Sequence, residues 1–142
     1  MRHHSHNAHA LARRLHDRGH RVHYPGLDGH PQHALLKRLM NHGYGYGGMM
    51  TLDVGTLENA NRLMTRMQEE KVGYLAVSLG YFKTLFSAPG HSTSSEIPVD
   101  EQQRMGLSEG LIRMSVGLDH DIDRTCGILA QCLERVGLVA HR

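Results

Sequence analysis

Between Leu111 and Val136 the spacing of apolar residues changes from two to three or four. Over Leu111-Ile112-Arg113-Met114-Ser115-Val116-Gly117 the period is two. Ile112, Met114 and Val116 therefore share one face of a strand, and Leu111, Arg113 and Ser115 the other. Further on, Ile122, Cys126, Leu129, Leu133 and Val136 fall on one stripe of a long helix. Asp119, Asp121 and Asp123 crowd its start, where the helix dipole favours acids, with Asp119 as the expected N-cap. A strand and a helix that each carry one apolar side must bury those sides on other elements, which excludes a purely helical or purely β domain.

The rest of the chain alternates in the same way. Ala8, Leu11, Ala12 and Leu15 recur at helical spacing and Gly19 supplies a stop. Arg21-Val22-His23-Tyr24 reads as a short strand closed by Pro25-Gly26. Pro31 is expected to open a second helix with Leu35, Leu36, Leu39 and Met40 as its apolar side. Met50, Leu52 and Val54 alternate as in a half-buried strand, and Thr56 is placed to cap a helix with Leu57, Ala60, Met64 and Met67 on one stripe. Tyr74 to Leu79 reads as a short apolar strand, and 87–98 as a loop rich in Ser, Gly and Pro. The expected fold is α+β: an α/β layer with one small sheet and helices over one face.

At 142 residues the chain makes one domain, 1–142, whose core needs no disulfide or metal staple. Cys126 and Cys132 lie six apart, roughly 120° round a helix, and cannot pair within it. That points to a reducing, cytoplasmic setting, and no segment reads as a leader or a membrane span. The net charge of +2 is too small to imply a nucleic-acid or membrane partner. It is unevenly spread, however. Residues 1–42 hold seven Lys/Arg against two Asp, net +5, and ten of the thirteen His; residues 43–142 hold nine against twelve, net −3. Such a head is a phosphate or metal site, or the solvated side of helices.

Several patterns invite chemistry and fail on context. Gly43-Tyr44-Gly45-Tyr46-Gly47-Gly48 satisfies G-x-G-x-x-G, but that fingerprint needs a strand before it and a helix after it, and here the expected order is reversed. His16, His20 and His23 sit around one helix end, with no carboxylate or thiolate spaced to complete a zinc set, so no metal is expected. His91 with Ser78, Ser92, Ser94 and Ser95 lacks the nucleophile elbow and orienting acid of a hydrolase. Arg113 is a different case. A guanidinium fixed on a strand can take a planar carboxylate through two parallel bonds, or can pair with an acid of its own domain.

Three runs carry a resemblance. His23-Tyr24-Pro25-Gly26-Leu27-Asp28-Gly29-His30-Pro31-Gln32-His33, Leu75-Ala76-Val77-Ser78-Leu79-Gly80 and Ser108-Glu109-Gly110-Leu111-Ile112-Arg113-Met114-Ser115-Val116-Gly117-Leu118 resemble, in order, motifs of the Cys/Met-metabolism enzymes that use pyridoxal phosphate. These are the methionine γ-lyases, cystathionine γ-lyases and synthases, and O-acetylhomoserine sulfhydrylases. Met1-Arg2-His3-His4 with Asn7-Ala8 is similar to an interior helix of the same enzymes.

The resemblance is to the C-terminal domain of such an enzyme, and implies the small, mainly antiparallel sheet of fold-type I pyridoxal phosphate transferases. It implies a substrate-binding set: Arg113 for the α-carboxylate, Ser78 beside it and Thr93 on a nearby loop. Ala88, Ser92 and Ser94 depart from the family's loop pattern, and about three residues are extra near Glu69-Glu70-Lys71. It implies no catalytic or cofactor-binding residue, because Lys37, Lys71 and Lys83 stand outside the family's Schiff-base context. The cofactor, pyridoxal 5'-phosphate, and its N-terminal domain would thus lie outside this chain, which alone is expected to be inactive. The implied partners are that domain, an amino-acid substrate and further copies in a homo-oligomer, a tetramer by resemblance. The implied reaction is trans-sulfuration chemistry, γ-elimination or γ-replacement on a sulfur-containing or activated amino acid. The alternative is a free-standing, non-catalytic ligand or interaction domain of the same fold.

Overall fold

The computed structural model describes residues 1–92 and 94–139. Helix α1 (Arg2–Asp17) leads to β1 (Arg21–His23), α2 (His33–Leu39), β2 (Met49–Asp53) and α3 (Leu57–Glu69). Then come β3 (Tyr74–Leu75), β4 (Leu85–Ser87), a 3-10 turn at Pro89–His91, α4 (Val99–Arg104), β5 (Leu111–Ser115) and α5 (Ile122–Arg135). The five strands form one sheet in the order β1-β2-β5-β4-β3. Every pairing is antiparallel except β3 with β4.

The register sorts the side chains into two faces. Leu52 lies opposite Val22 and Ile112, and Met114 opposite Met50 and Phe86. These residues meet the stripes of α1 (Leu11, Leu15), α3 (Leu63, Met67) and α5 (Leu129, Leu133) in one core. Burying each large apolar side chain contributes roughly 1.5–3 kcal/mol. Helix α1 is fastened to the chain after β5 by polar contacts as well. The Asn7 amide donates to the carbonyls of Gly117 (3.0 Å) and Asp119 (2.8 Å), and His4 Nδ1 to that of Val116 (2.7 Å).

Helix ends follow the sequence closely at two places. Gly19, at φ +85°, closes α1 as the His20 amide bonds back to Leu15 O. The Thr56 hydroxyl accepts from Asn59 N and caps α3.

Five expectations change. The cap of α5 is Asp121, which accepts from Arg124 N, while Asp119 accepts from Asp121 N and from the Thr125 hydroxyl and so shapes the loop before it. Helix α2 starts at His33, two residues after Pro31, because Pro31 sits in the turn that precedes it. Its Leu35 and Leu39 are exposed, so the apolar side of α2 meets no core. The Tyr74–Leu79 strand shrinks to two exposed residues, and the 87–98 loop gives its first residue to β4 and three more to the 3-10 turn.

Candidate functional site

The sheet face turned away from the core carries one cross-strand row built by four strands. His23 of β1 is opposite Thr51 of β2, Thr51 is opposite Arg113 of β5, and Arg113 is opposite Ser87 of β4. Period two put Arg113 on this face, and antiparallel register supplied its neighbours. The chain from 76 to 83 folds back over the same face. There the Gly80 amide donates to Ser115 Oγ (3.0 Å) and Arg113 Nη2 donates to the Ser78 carbonyl (3.1 Å). Sequence reasoning paired Ser78 with Arg113, and the two do meet, through the backbone oxygen of Ser78 rather than its hydroxyl. Thr93, the third residue of that set, lies outside the described residues.

Two atoms of the row stand out energetically. Arg113 Nε and Ser87 Oγ are both buried, and among the described residues neither has a hydrogen-bond partner. Buried polar atoms in native proteins are nearly always satisfied, which sets these two apart from the rest of the row. Among the described residues no carboxylate comes within 4.0 Å of Arg113, although eight other ion pairs form. Beside the row lies a cavity of about 150 Å³, lined by His23, Pro25, His30, Met49, Thr51 and Arg113.

A larger cavity, about 680 Å³, lies between the 3-10 turn, α4 and the 107–109 stretch. It is lined by Glu96, Glu109 and His91 without any Lys or Arg, and it would repel a carboxylate. The serines near it serve their own turn: Ser92 Oγ donates to Ala88 O and Ser95 Oγ to Ser92 O. Among the described residues no three His, Cys, Asp or Glu side chains gather to hold a metal ion. No described helix is long and apolar enough to cross a membrane.

Ser87 and Thr51 escaped sequence reasoning. Both are ordinary small polar residues, and only the strand register brings them to Arg113.

Comparison with known proteins places this site in context. The family model for Cys/Met metabolism PLP-dependent enzymes matches residues 1–133. A methionine gamma-lyase of Arabidopsis thaliana is 51% identical over 118 residues, covering 82% of this chain and 27% of the relative. A cystathionine gamma-lyase of Dictyostelium discoideum is 36% identical over 135 residues, covering 93% of this chain and 33% of the relative. A crystal structure described as an O-acetylhomoserine (thiol)-lyase of Campylobacter jejuni, containing N'-pyridoxyl-lysine-5'-monophosphate, superposes with a TM-score of 0.83 at 29% identity. That alignment covers 93% of this chain and 31% of the other. The chain thus spans about a quarter to a third of the length of these relatives.

Dependence on pyridoxal phosphate comes with the family, yet the lysines here do not fit the role of holding it. Lys37, Lys71 and Lys83 are all exposed, on α2, just past the end of α3 and beside Phe82, and none lines the cavity at Arg113. A lysine that reacts with a carbonyl needs desolvation or a neighbouring cation to free its amine. The described residues thus show a cross-strand row around Arg113 and no lysine beside it. With the fold, the three motifs and the match over residues 1–133 in agreement, the chain belongs to the Cys/Met metabolism PLP-dependent enzyme family.

Proposed function

We propose that this chain is the C-terminal, substrate-orienting part of a longer pyridoxal phosphate enzyme that acts on sulfur-containing or activated amino acids by γ-elimination or γ-replacement. The cofactor supplies the electron sink of that chemistry; the residues here bind and aim the substrate. Arg113 takes the α-carboxylate with its planar fork, Ser78 positions the guanidinium through its carbonyl, and Thr93 belongs to the same substrate set. The observation that carries this reading is the state of Arg113, which among the described residues has a buried unpartnered Nε and no carboxylate within 4.0 Å. A cation so placed is held for an anion that arrives from outside the domain.

The same reading accounts for an exposed apolar run. Tyr74, Leu75, Val77, Leu79, Tyr81 and Phe82 are each 45–61% exposed along the segment that crosses the Arg113 face. Six such residues in nine positions form the docking edge for a preceding, cofactor-holding domain. Assembly into a tetramer belongs to the same proposal, through surfaces of the complete enzyme.

The test is kcat/KM of Arg113→Lys in the full-length enzyme, with an amino-acid substrate and with its decarboxylated amine analogue. Leaving one partner of a desolvated charge pair unmatched costs about 2–5 kcal/mol. At about 1.4 kcal/mol per decade that is roughly 30- to several-thousand-fold. The loss is expected with the amino acid and not with the amine, because an ammonium cannot reproduce the bidentate fork. Equal loss with both would make Arg113 a structural residue and overturn the assignment.

A further inference from the structure

The His-rich basic head and the glycine loop are the two sequence features that the Arg113 site does not absorb, and the fold brings them together. Arg2, His6, His9 and Arg13 recur at intervals of four, three and four along α1. At 100° per residue they fall within about 60° of one another round the helix, a single stripe. That stripe forms one wall of a groove of about 500 Å³, and Gly43-Tyr44-Gly45 forms the other. The glycine wall stands close because Gly43 and Gly45 lack side chains. A Cβ on Gly45 would lie 2.1 Å from Ser5 Oγ, and Gly43 and Gly45 both hold positive φ, at +76° and +75°. Ser5 is itself buried under the loop, next to the Tyr24 hydroxyl that donates to Gly47 O (2.9 Å).

The chemistry of the groove is one-sided. No acidic side chain lines it. Arg2 has no ion-pair partner among the described residues and rests 5.0 Å from the centroid of the Tyr44 ring. Arg13 has only a loose contact to Asp17, at 3.8 Å and widely exposed to solvent, a pair worth little in water. Tyr44 keeps nearly half its surface open, so its ring can take a planar group. Arg2 and Arg13 stand eleven residues apart, about 16 Å along the helix axis. With the two arginine side chains reaching toward each other, a chain of phosphates meets both of them and the two histidines between, which a single phosphate does less fully.

We propose that this groove is a binding site for an oligophosphate anion, either a free inorganic chain or the phosphate tail of a nucleotide whose ring stacks on Tyr44. The fingerprint reading of the glycine loop plays no part here, because α2 precedes it, β2 follows and no helix opens at its end. Guanidinium and imidazole side chains do that work, with the glycines giving only close approach.

Calorimetric titration of the intact chain with inorganic tripolyphosphate, orthophosphate and adenosine triphosphate tests this at low and physiological salt. One tripolyphosphate is expected per chain, with affinity falling as salt rises and at least tenfold above that of orthophosphate. Arg2→Gln with Arg13→Gln should cut it tenfold or more without unfolding the chain, since both side chains are exposed. Lys83→Gln with Arg124→Gln removes the same charge elsewhere and should leave it unchanged. Tighter binding of adenosine triphosphate that Tyr44→Ala abolishes assigns the site to a nucleotide; equal affinity for the two assigns it to the bare phosphate chain. The absence of saturable binding, an orthophosphate affinity equal to that of tripolyphosphate, or an equal loss in the Lys83/Arg124 control would overturn the proposal.

Discussion

A buried hydroxyl with nothing to bond destabilises the fold that holds it, and Ser87 is such a group, 3% exposed and without a partner among the described residues. Replacing Ser87 with Ala removes the polar atom at almost constant volume. Stability should hold or rise by about 1 kcal/mol, read as a higher urea midpoint at unchanged slope. Asn7 is the opposite case. It is also buried, but its amide satisfies two carbonyls, those of Gly117 and Asp119. Asn7→Ala leaves both acceptors without that donor and should cost about 1–3 kcal/mol in the same measurement. The contrast separates polar groups kept for folding from one that folding does not use.

Among the elements, the caps and the tight crossings give the sharpest expectations. Thr56→Ala deletes the acceptor for Asn59 N at the start of α3 and should lower stability by about 1 kcal/mol, with Thr56→Ser close to neutral. Gly110→Ala should cost more. Its Cβ would meet Gly55 N at 2.4 Å and Thr56 N at 2.5 Å, which are backbone atoms that cannot swing aside. A fall in Tm larger than that of Thr56→Ala checks the ranking. These elements were legible because their signals are local: the stripes of α1, α3 and α5, the alternation of β2 and β5, and the hydroxyl of Thr56 ahead of an apolar run. The illegible ones lack a local signal. Leu85, Phe86 and Ser87 are buried on both faces, so β4 shows no alternation. Helix α4, six residues without a buried position, has no stripe to find. The apolar residues of α2 and of Tyr74–Leu79 gave false weight, since burial inside this domain is not what they provide. Of the site, Arg113 and Ser78 could be read from their motifs, whereas Thr51 and Ser87 come to Arg113 only through register.

For the molecule as a whole, titration sets a window of stability. Burial, aided by the nearby Arg18 charge, pulls His20 below its ordinary value of 6.5. The unfolded chain therefore takes up this proton more readily, and that contribution is lost as pH falls below about 6.5. Burial pushes the thiols of Cys126 and Cys132 above 9.0 and the Tyr24 hydroxyl above 10.0. Those groups hold their protons longer when folded, so their contribution is full below about pH 9 and is lost above it. Tm against pH should show a plateau from about 6.5 to 9 with a decline on both sides. The same burial should slow thiol alkylation in the native state to the rate of unfolding events. The sheet order carries one more consequence, for the time at which this molecule can fold. Strand β5 is the last to be made and stands at the centre, between the β1–β2 pair and the β4–β3 pair. Until it leaves the ribosome the two pairs have no shared strand, and α1 waits for a helix that has not been synthesised. A chain halted at Ser108 should therefore be digested rapidly by protease, while one released after α5 is protected. The sheet of this region therefore closes only once β5 has been translated, and until then its apolar residues stay exposed.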